Sequence, residues 1–238
     1  MRPGELPPVG GYVLAGGNSS RMGRDKALLD LAGKPLVLHA VTKLRRLCDE
    51  VSILGSSPEL ESHAPLVRDL HNGCGPMAGI EAALLSSKYD WNLILPVDVP
   101  FLPTRLLDDW LWSVLHEPIE EIKLSMLAVE DVRHPTLLII HREIAPYLTT
   151  SLERGDFKLF PVLRSAVEDI AARRMVKVKK VFVEMQWDDP WTPRAIAKKE
   201  AWYSPSEAQR ENWHLWFANL NTPEEFAEAQ QHLDALDT

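Results

Sequence analysis

The chain has 238 residues, of which 45% are hydrophobic and 25% charged, a composition typical of a globular protein with one large domain. Its formal net charge of −8 argues against binding to nucleic acid, because non-specific binding to a phosphate backbone needs a basic surface. No stretch is apolar enough to span a membrane, residues 1–8 lack the apolar core of a signal peptide, and two cysteines are too few for a disulfide scaffold. We therefore expect a soluble protein of the cytoplasm.

The first predicted element is a short apolar strand that leads into a glycine-rich loop. Residues 14–26 read Leu-Ala-Gly-Gly-Asn-Ser-Ser-Arg-Met-Gly-Arg-Asp-Lys. Gly16 and Gly17 let the backbone turn tightly and bring N–H groups against phosphate oxygens, while Arg21 and Lys26 supply positive charge for a leaving pyrophosphate. The spacing matches neither the P-loop nor the G-x-G-x-x-G dinucleotide loop. The segment predicts a cradle for a nucleoside triphosphate, with an ordinary surface loop as the alternative.

Apolar periodicity then predicts helices that alternate with strands. Helices are predicted after Pro35 and at 77–85 and 103–116, and strands at 51–54, 66–68, 91–97, 124–129 and 136–140. This alternation predicts one domain of the α/β class, a three-layer α/β/α, Rossmann-like fold around a mostly parallel sheet. Ligands of such sheets bind beyond the carboxyl ends of the strands, which is where Gly16, Asp69 and Asp98 are expected.

Asp98 is expected to be a metal ligand. It follows the 91–97 strand and is flanked by Pro96 and Pro100, so its carboxylate is held rigidly at the strand end. Hard oxygen ligands of this kind suit magnesium, which usually takes one or two carboxylates together with phosphate oxygens. The alternative is a helix cap, but Asp98 lies about five residues too early to cap the helix after Pro103.

A second glycine-rich loop follows Asp69. Gly73, Gly75 and Gly79 permit a close approach of backbone to a planar group or a ribose, and the helix that begins near Met77 presents its positive N-terminus to that ligand. Alone, this loop is equally consistent with a plain turn.

The last third of the chain is less regular. Residues 175–184 alternate valines with lysines, which predicts a strand with one wet face; its lysines either face solvent or contact a ligand phosphate. Residues 185–216 contain five of the eight tryptophans and a helix-start signal at 204–207. We expect an insertion there that either anchors onto the main core or forms a dimer surface or a platform for a flat ring.

The opening loop, as L-A-G-G-x-S-x-R-M-G-x-D-K-A-L-L, resembles the signature of the molybdenum cofactor guanylyltransferases, a family of nucleotidyltransferases. Residues 75–80 are similar to the family's G-P-x-A-G-[IM], residues 96–100 to its C/V-D-x-P, and residues 219–224 to its N-x-N-T-P-E/D. The last motif is also a capping box with proline at the first helical position. The resemblance covers most of 9–183 and 217–236.

The resemblance implies that the protein transfers GMP from GTP to molybdopterin carrying molybdenum, with Mg²⁺ as cofactor and pyrophosphate as the second product. It implies catalytic roles for Arg21, Lys26 and Asp98, of which Asp98 is the metal ligand. The implied nucleotide-binding residues are Leu14, Ala15, Gly16, Gly17, Lys26, Asp69, Gly75, Gly79 and Asp98, and the implied pterin-binding residues are Asn219, Asn221, Arg133 and Lys158. It also implies transient contacts with proteins that insert or receive the cofactor.

The chain departs from the family pattern in two places. The family commonly has an asparagine after the second strand, where this chain has Leu-Gly-Ser-Ser at 54–57, so Ser56 or backbone groups must replace it in any base or ribose contact. The tryptophan-rich segment at 185–216 has no counterpart. Two alternatives stay open: a nucleotidyltransferase that uses CTP on the same pterin or another phosphate acceptor, and an accessory protein that holds nucleotide or pterin without turnover.

Overall fold

A seven-stranded sheet forms the centre of the molecule. The structure is a computed structural model that describes residues 6–16, 25–71, 73–116, 121–129, 131–187 and 205–237. The strands are β1 (Val9–Leu14), β4 (Glu50–Leu54), β5 (Leu66–Val67), β6 (Trp91–Pro96), β7 (Leu124–Val129), β8 (Val132–His141) and β9 (Phe182–Trp187), in the spatial order β5-β4-β1-β6-β8-β7-β9; β2 (Asp30–Leu31) and β3 (Lys34–Pro35) form a separate two-stranded sheet. Every neighbouring pair in the large sheet is parallel except those involving β8, so the predicted mostly parallel sheet is confirmed.

Helices cover both faces of this sheet. They are α1 (Leu36–Arg45), α2 (Pro76–Ser86), α3 (Thr104–Leu115), α4 (Ala145–Glu153), α5 (Leu159–Arg174), α6 (Val178–Val181), α7 (Glu207–Glu211) and α8 (Pro223–Ala229). In β1, Val9 and Val13 pack with α1 and α3, whereas Tyr12 and Leu14 pack with α2, α4 and α5. This alternation is the two-residue period of a strand buried on both faces, and it confirms the three-layer arrangement.

Residues 205–237 pack on the α1 and α3 side of the sheet. Trp216 is fully buried in the same core cluster as Leu36 and Trp110, and its indole N–H donates to the carbonyl of Gln209 at 3.1 Å. The helix-start signal at Ser206 is confirmed, because its hydroxyl caps α7 in a capping box with Gln209. The described end of the tryptophan-rich segment thus contributes to the main core, while 188–204 lie outside the described residues.

The expectation of a single strand over 175–184 is wrong. Residues Val178–Val181 form a helical turn, closed by the Lys180 N–H donating to the Lys177 carbonyl at 2.8 Å, and the strand begins only at Phe182. Val181 is fully buried, whereas Val178 at the start of the turn is 39% exposed. The lysines of this turn are exposed to solvent.

No helix within the described ranges has both the length and the apolar character needed to cross a membrane.

Candidate functional site

The ends of β1 and β6 bring the first glycine loop beside Asp98. The two strands are parallel neighbours in which Leu14 pairs with Pro96, and the Val97 N–H donates to the Leu14 carbonyl at 3.1 Å. On the other side of β1, the Ala15 N–H donates to the carbonyl of Leu54 at the end of β4, at 3.0 Å. Residues that follow three strands therefore meet at one edge of the sheet, as the strand-end rule predicts.

Lys26 and Asp98 form an ion pair at this edge. Asp25 accepts the Ala27 N–H at 3.0 Å and so caps the short turn Lys26–Leu28. From this turn the Lys26 ammonium reaches Asp98 Oδ2 at 2.7 Å and the side-chain oxygen of Asn221 at 2.8 Å. The side chains of Lys26 and Asp98 are only 17% and 18% exposed, so water screens their attraction less than that of a surface pair.

Asp98 keeps one carboxylate oxygen without a hydrogen bond among the described residues. Oδ1 is buried, whereas Oδ2 is bound to Lys26. A buried carboxylate oxygen without a partner is costly, and sites of this kind are often completed by an ion or water. The described residues contain no group of three or more His, Cys, Asp or Glu side chains placed to hold a metal by themselves. A metal ion bound to Asp98 would therefore take most of its ligands from groups other than these described side chains.

The turn before α8 places Asn221 against Lys26. The Leu220 N–H donates to the Asp98 carbonyl at 3.0 Å, and the N–H groups of Asn221 and Thr222 both donate to Glu225 Oε2. The predicted capping box of Thr222 and Glu225 is present. Asn219 is exposed, and none of the hydrogen bonds among the described residues joins its side chain to Lys26 or Asp98.

A cavity of about 520 Å³ opens at the same sheet edge, between β1, β4 and α2. Five residues predicted to bind nucleotide are among those that line it. Among the described residues, the lining consists of Leu14, Gly16, Leu54, Gly55, Ser56, Arg68, Asp69, Gly73, Gly75, Pro76 and Gly79. Arg68 and Gly55 are not among the predicted site residues, although both immediately follow a strand at the same edge and the strand-end rule could have found them.

Asp69 lies against α2 because Gly79 has no side chain. A Cβ at position 79 would lie 3.3 Å from both Asp69 Oδ1 and Leu14 Cδ1. Burial raises the pKa of Asp69 above its ordinary value. At the start of α2, Gly75 has a φ of +69°, a conformation that side chains other than glycine rarely adopt. Both glycines are thus needed for the shape of the cavity wall.

The loop that carries Asp69 also contacts α2 through His71. Its His71 Nε2 lies 3.5 Å from Oε2 of Glu81, a buried carboxylate on α2. Oε1 of Glu81 accepts a hydrogen bond from the Thr149 hydroxyl on α4 at 2.5 Å. The loop therefore lies beside α2 and α4, although Glu81 Oε2 has no hydrogen-bond partner among the described residues.

The other predicted residues are more scattered. Arg133 lies near the start of β8, which is at the same sheet edge as the end of β6 because these two strands are antiparallel. Its guanidinium pairs with Glu184 and lies 5.1 Å from the ring centre of Phe160. Lys158 is exposed at the start of α5. Gly17 and Arg21 lie outside the described residues.

Comparison with known proteins identifies the family of this chain. The model of the MobA-like NTP transferase domain matches residues 11–179. A relative from Serratia proteamaculans, named molybdenum cofactor guanylyltransferase, is 35% identical over 164 residues, which are 66% of this chain and 80% of the relative. The chain belongs to the MobA-like NTP transferase family. The resemblance of the opening loop to this family is thereby confirmed, and the matched residues include Lys26, Asp69 and Asp98.

Solved structures agree on the fold. The molybdopterin-guanine dinucleotide biosynthesis protein A of Archaeoglobus fulgidus superposes with a TM-score of 0.65 at 18% identity, over 95% of this chain and all of that one. The 4-diphosphocytidyl-2C-methyl-D-erythritol synthase of Anaerococcus prevotii gives a TM-score of 0.61 at 10% identity, over 96% and 99% of the two chains. At these identities the likeness concerns the fold alone. The family model ends before Asn219 and Asn221, and the contact of Asn221 with Lys26 is seen only in the structure.

Proposed function

We propose that this protein transfers GMP from GTP to the phosphate of molybdopterin carrying molybdenum, forming the guanine dinucleotide cofactor and pyrophosphate. The observation that carries the proposal is the contact of Lys26 with both Asp98 and Asn221, at the sheet edge that also holds a nucleotide-sized cavity, in a chain of the MobA-like family. The relative from Serratia proteamaculans carries the name of this activity.

The cavity would take the nucleoside of GTP. Asp69 offers a carboxylate to the N–H or hydroxyl donors of the base or ribose, and the N-terminus of α2 supplies N–H groups and a positive end. The backbone after Leu14, including Ala15, Gly16 and Gly17, would cradle the triphosphate, with Arg21 and Lys26 as its cations. Ser56 lines the cavity in the place where the family commonly has asparagine.

Asp98 fits a role as the Mg²⁺ ligand. Its buried Oδ1 has no hydrogen-bond partner among the described residues, and carboxylate oxygens are the ligands that Mg²⁺ prefers. One or two protein carboxylates suffice for this metal when phosphate oxygens complete its shell, which agrees with the absence of a larger acidic cluster among the described residues. When bound, the ion would neutralise charge on the triphosphate.

The reaction itself needs little covalent participation by the protein. A phosphate oxygen of molybdopterin attacks the α-phosphorus of GTP, the new P–O bond forms as the bond to the β-phosphate oxygen breaks, and pyrophosphate leaves with that electron pair. Positioning and charge stabilisation supply most of the acceleration in such transfers. Lys26 would neutralise the negative charge that develops on the leaving group, and Asn221 and Asp98 hold its ammonium in place.

The acceptor would bind on the opposite side of Asp98 from the nucleotide cavity. Asn221 is already at the ion pair, and Asn219 is two residues away in an exposed turn. The pterin phosphate would contact two further cations, Arg133 in β8 and Lys158 directly before α5. Arg133 is paired with Glu184, so its use by a ligand requires that pair to open.

The test is pyrophosphate release by the purified protein with Mg²⁺, molybdopterin and each nucleoside triphosphate in turn. We expect release with GTP and background release with the others. Release with CTP alone would show a different nucleotidyltransferase, and pterin binding without any release would show an accessory protein. Transient contacts with proteins that insert or receive the cofactor, and a location in the cytoplasm, stay predictions.

A further inference from the structure

Lys43 is a buried lysine behind the loop that carries Asp98. It lies on α1 with 1% of its side chain exposed, and its ammonium donates to the carbonyl of Leu102 at 2.8 Å. A buried ammonium is costly to retain unless it has partners. Burial lowers the pKa of Lys43 to about 8, and the nearby Asp237 carboxylate opposes that decrease.

Asp237 holds the other end of the same loop. Its Oδ2 accepts the Thr104 N–H at the first turn of α3 at 2.5 Å and lies 3.9 Å from the Lys43 ammonium. Burial acts to raise the pKa of Asp237, but Lys43 and the Thr104 N–H outweigh it and lower that pKa below the ordinary value. The two charged groups thus stabilise each other at the N-terminus of α3.

Residues 98–104 are fixed at three points by distant parts of the chain. The Asp98 carbonyl accepts from Leu220, the Leu102 carbonyl accepts from Lys43, and the Thr104 N–H donates to Asp237. Within the loop, the side chain of Phe101 is fully buried. The direction in which the Asp98 carboxylate points therefore depends on anchors outside its own strand.

We propose that Lys43 and Asp237 are positioning residues that hold the 98–104 loop so that Asp98 Oδ1 faces the site. This inference rests on the proposed function, in which Asp98 binds the metal. Neither residue belongs to the motifs that carry the family resemblance, and Asp237 lies beyond the residues that the family model matches. Groups that orient a metal ligand typically change metal affinity by about 10- to 100-fold when they are removed.

The experiment measures Mn²⁺ affinity by electron paramagnetic resonance, with a GTP analogue that cannot be cleaved between the α- and β-phosphates. In Lys43→Met we expect Mn²⁺ to bind about tenfold more weakly. We also expect a lower melting temperature, because the variant leaves the Leu102 carbonyl and the Asp237 carboxylate without the Lys43 ammonium. The affinity for the analogue without metal should stay unchanged, since the cavity does not include residues 98–104. A lower melting temperature with unchanged Mn²⁺ affinity would make Lys43 merely structural and overturn the proposal.

Asp237→Asn provides a second test that does not depend on Lys43→Met folding. It removes the charge beside Lys43 but keeps an oxygen for the Thr104 N–H, and its position is 23% exposed. We expect Mn²⁺ affinity to fall several-fold. The matched control is Asp234→Asn, an exposed carboxylate in the neighbouring turn Leu233–Ala235, which should bind Mn²⁺ as the unchanged protein does. Equal affinity in Asp237→Asn and Asp234→Asn contradicts the proposal.

Asp98→Ala separates this inference from the proposed function. If it binds Mn²⁺ as tightly as the unchanged protein, the assignment of the metal to Asp98 fails and the positioning inference fails with it. If Asp98→Ala loses Mn²⁺ binding but Lys43→Met and Asp237→Asn keep it, only the positioning inference is wrong.

Discussion

Lys26 shows how one residue connects three distant parts of the chain. Its ammonium contacts Asp98 at the end of β6 and Asn221 before α8, which lie 72 and 195 residues away in sequence. Sequence motifs predicted a functional role for each of these three residues. That Lys26 contacts both of the others depends on the packing of residues 205–237 against the sheet edge, which no local pattern contains.

Asp98→Asn tests the central residue of the site. The amide keeps the volume and one oxygen near Lys26 but removes the negative charge, so we expect turnover to fall by about 100-fold or more. The melting temperature should change less than turnover, because the amide oxygen of the variant still accepts a hydrogen bond from the Lys26 ammonium. The control is Asp108→Asn, on the exposed side of α3. Near-normal pyrophosphate release in Asp98→Asn would show that the metal and charge roles belong elsewhere.

Gly79→Val tests the wall of the nucleotide cavity. A Cβ at this position would press on Asp69 and Leu14, and the added methyl groups need still more room, so we expect the KM for GTP to rise about tenfold with a smaller change in kcat. The control is Leu85→Ala, at a half-exposed position on the same helix. Steady-state kinetics with a melting curve distinguish this result from simple unfolding. An unchanged KM for GTP would show that Asp69 does not contribute to nucleotide binding.

At the scale of elements, strand ends and caps were the predictable features. Apolar periodicity predicted most strands of the sheet, and the strand-end rule predicted that Gly16, Asp69 and Asp98 share one edge. The region 175–184 was mispredicted because its valines do not keep one two-residue period. Positions 176 and 178 would face the opposite side of a continuous strand from 181 and 183, and the helical turn Val178–Val181 lies where the period changes.

Two capping boxes allow a matched test of how α8 contributes to the site. Thr222→Ala and Ser206→Ala each remove a cap of the same type, so each should lower the free energy of unfolding by about 1 kcal/mol. Only Thr222 adjoins Asn221, and only Thr222→Ala should therefore reduce turnover. Denaturant unfolding and pyrophosphate release on both variants check this expectation. Equal turnover in the two variants would mean that the α8 cap does not position Asn221.

For the whole molecule, His141 makes stability depend on pH. Burial lowers the pKa of His141 to about 4, with the nearby Lys123 acting in the same direction, and its Nδ1 accepts the Glu143 N–H at 3.2 Å. The unfolded chain binds a proton at this residue below about pH 6.5, but the folded protein does so only near pH 4. The contribution of His141 to the free energy of unfolding is therefore fully present above pH 6.5. It is lost as the pH falls to 4, which lowers that free energy by roughly 3 kcal/mol.

His141→Asn is the variant that isolates this effect. Asparagine offers a side-chain oxygen to the Glu143 N–H but does not titrate. Urea unfolding at pH 7, 5.5 and 4.5 should show a smaller loss of stability in the variant than in the unchanged protein, because all other titrating groups are common to both. Parallel loss of stability in the two proteins would contradict the assignment to His141.

The selection of the base and of the acceptor depends on residues from the whole site. The signature loop predicts triphosphate binding, but no hydrogen-bond pattern in the sequence distinguishes guanine from cytosine, and the acceptor side includes exposed residues such as Asn219 and Lys158. Family membership supports GTP and molybdopterin as substrates. The geometry adds that Lys26 contacts Asn221 and Asp98 at the sheet edge where the cavity opens.

The most direct measurement of the proposed function follows the GMP group itself. GTP labelled at the α-phosphorus is incubated with Mg²⁺, molybdopterin carrying molybdenum and the protein, and the pterin product is analysed by mass spectrometry and radiolabel. We predict label in a pterin guanine dinucleotide, one pyrophosphate released per labelled product, and neither in Asp98→Asn. Unlabelled pterin after complete consumption of GTP, or equal labelling in Asp98→Asn, would contradict the proposed reaction at this site.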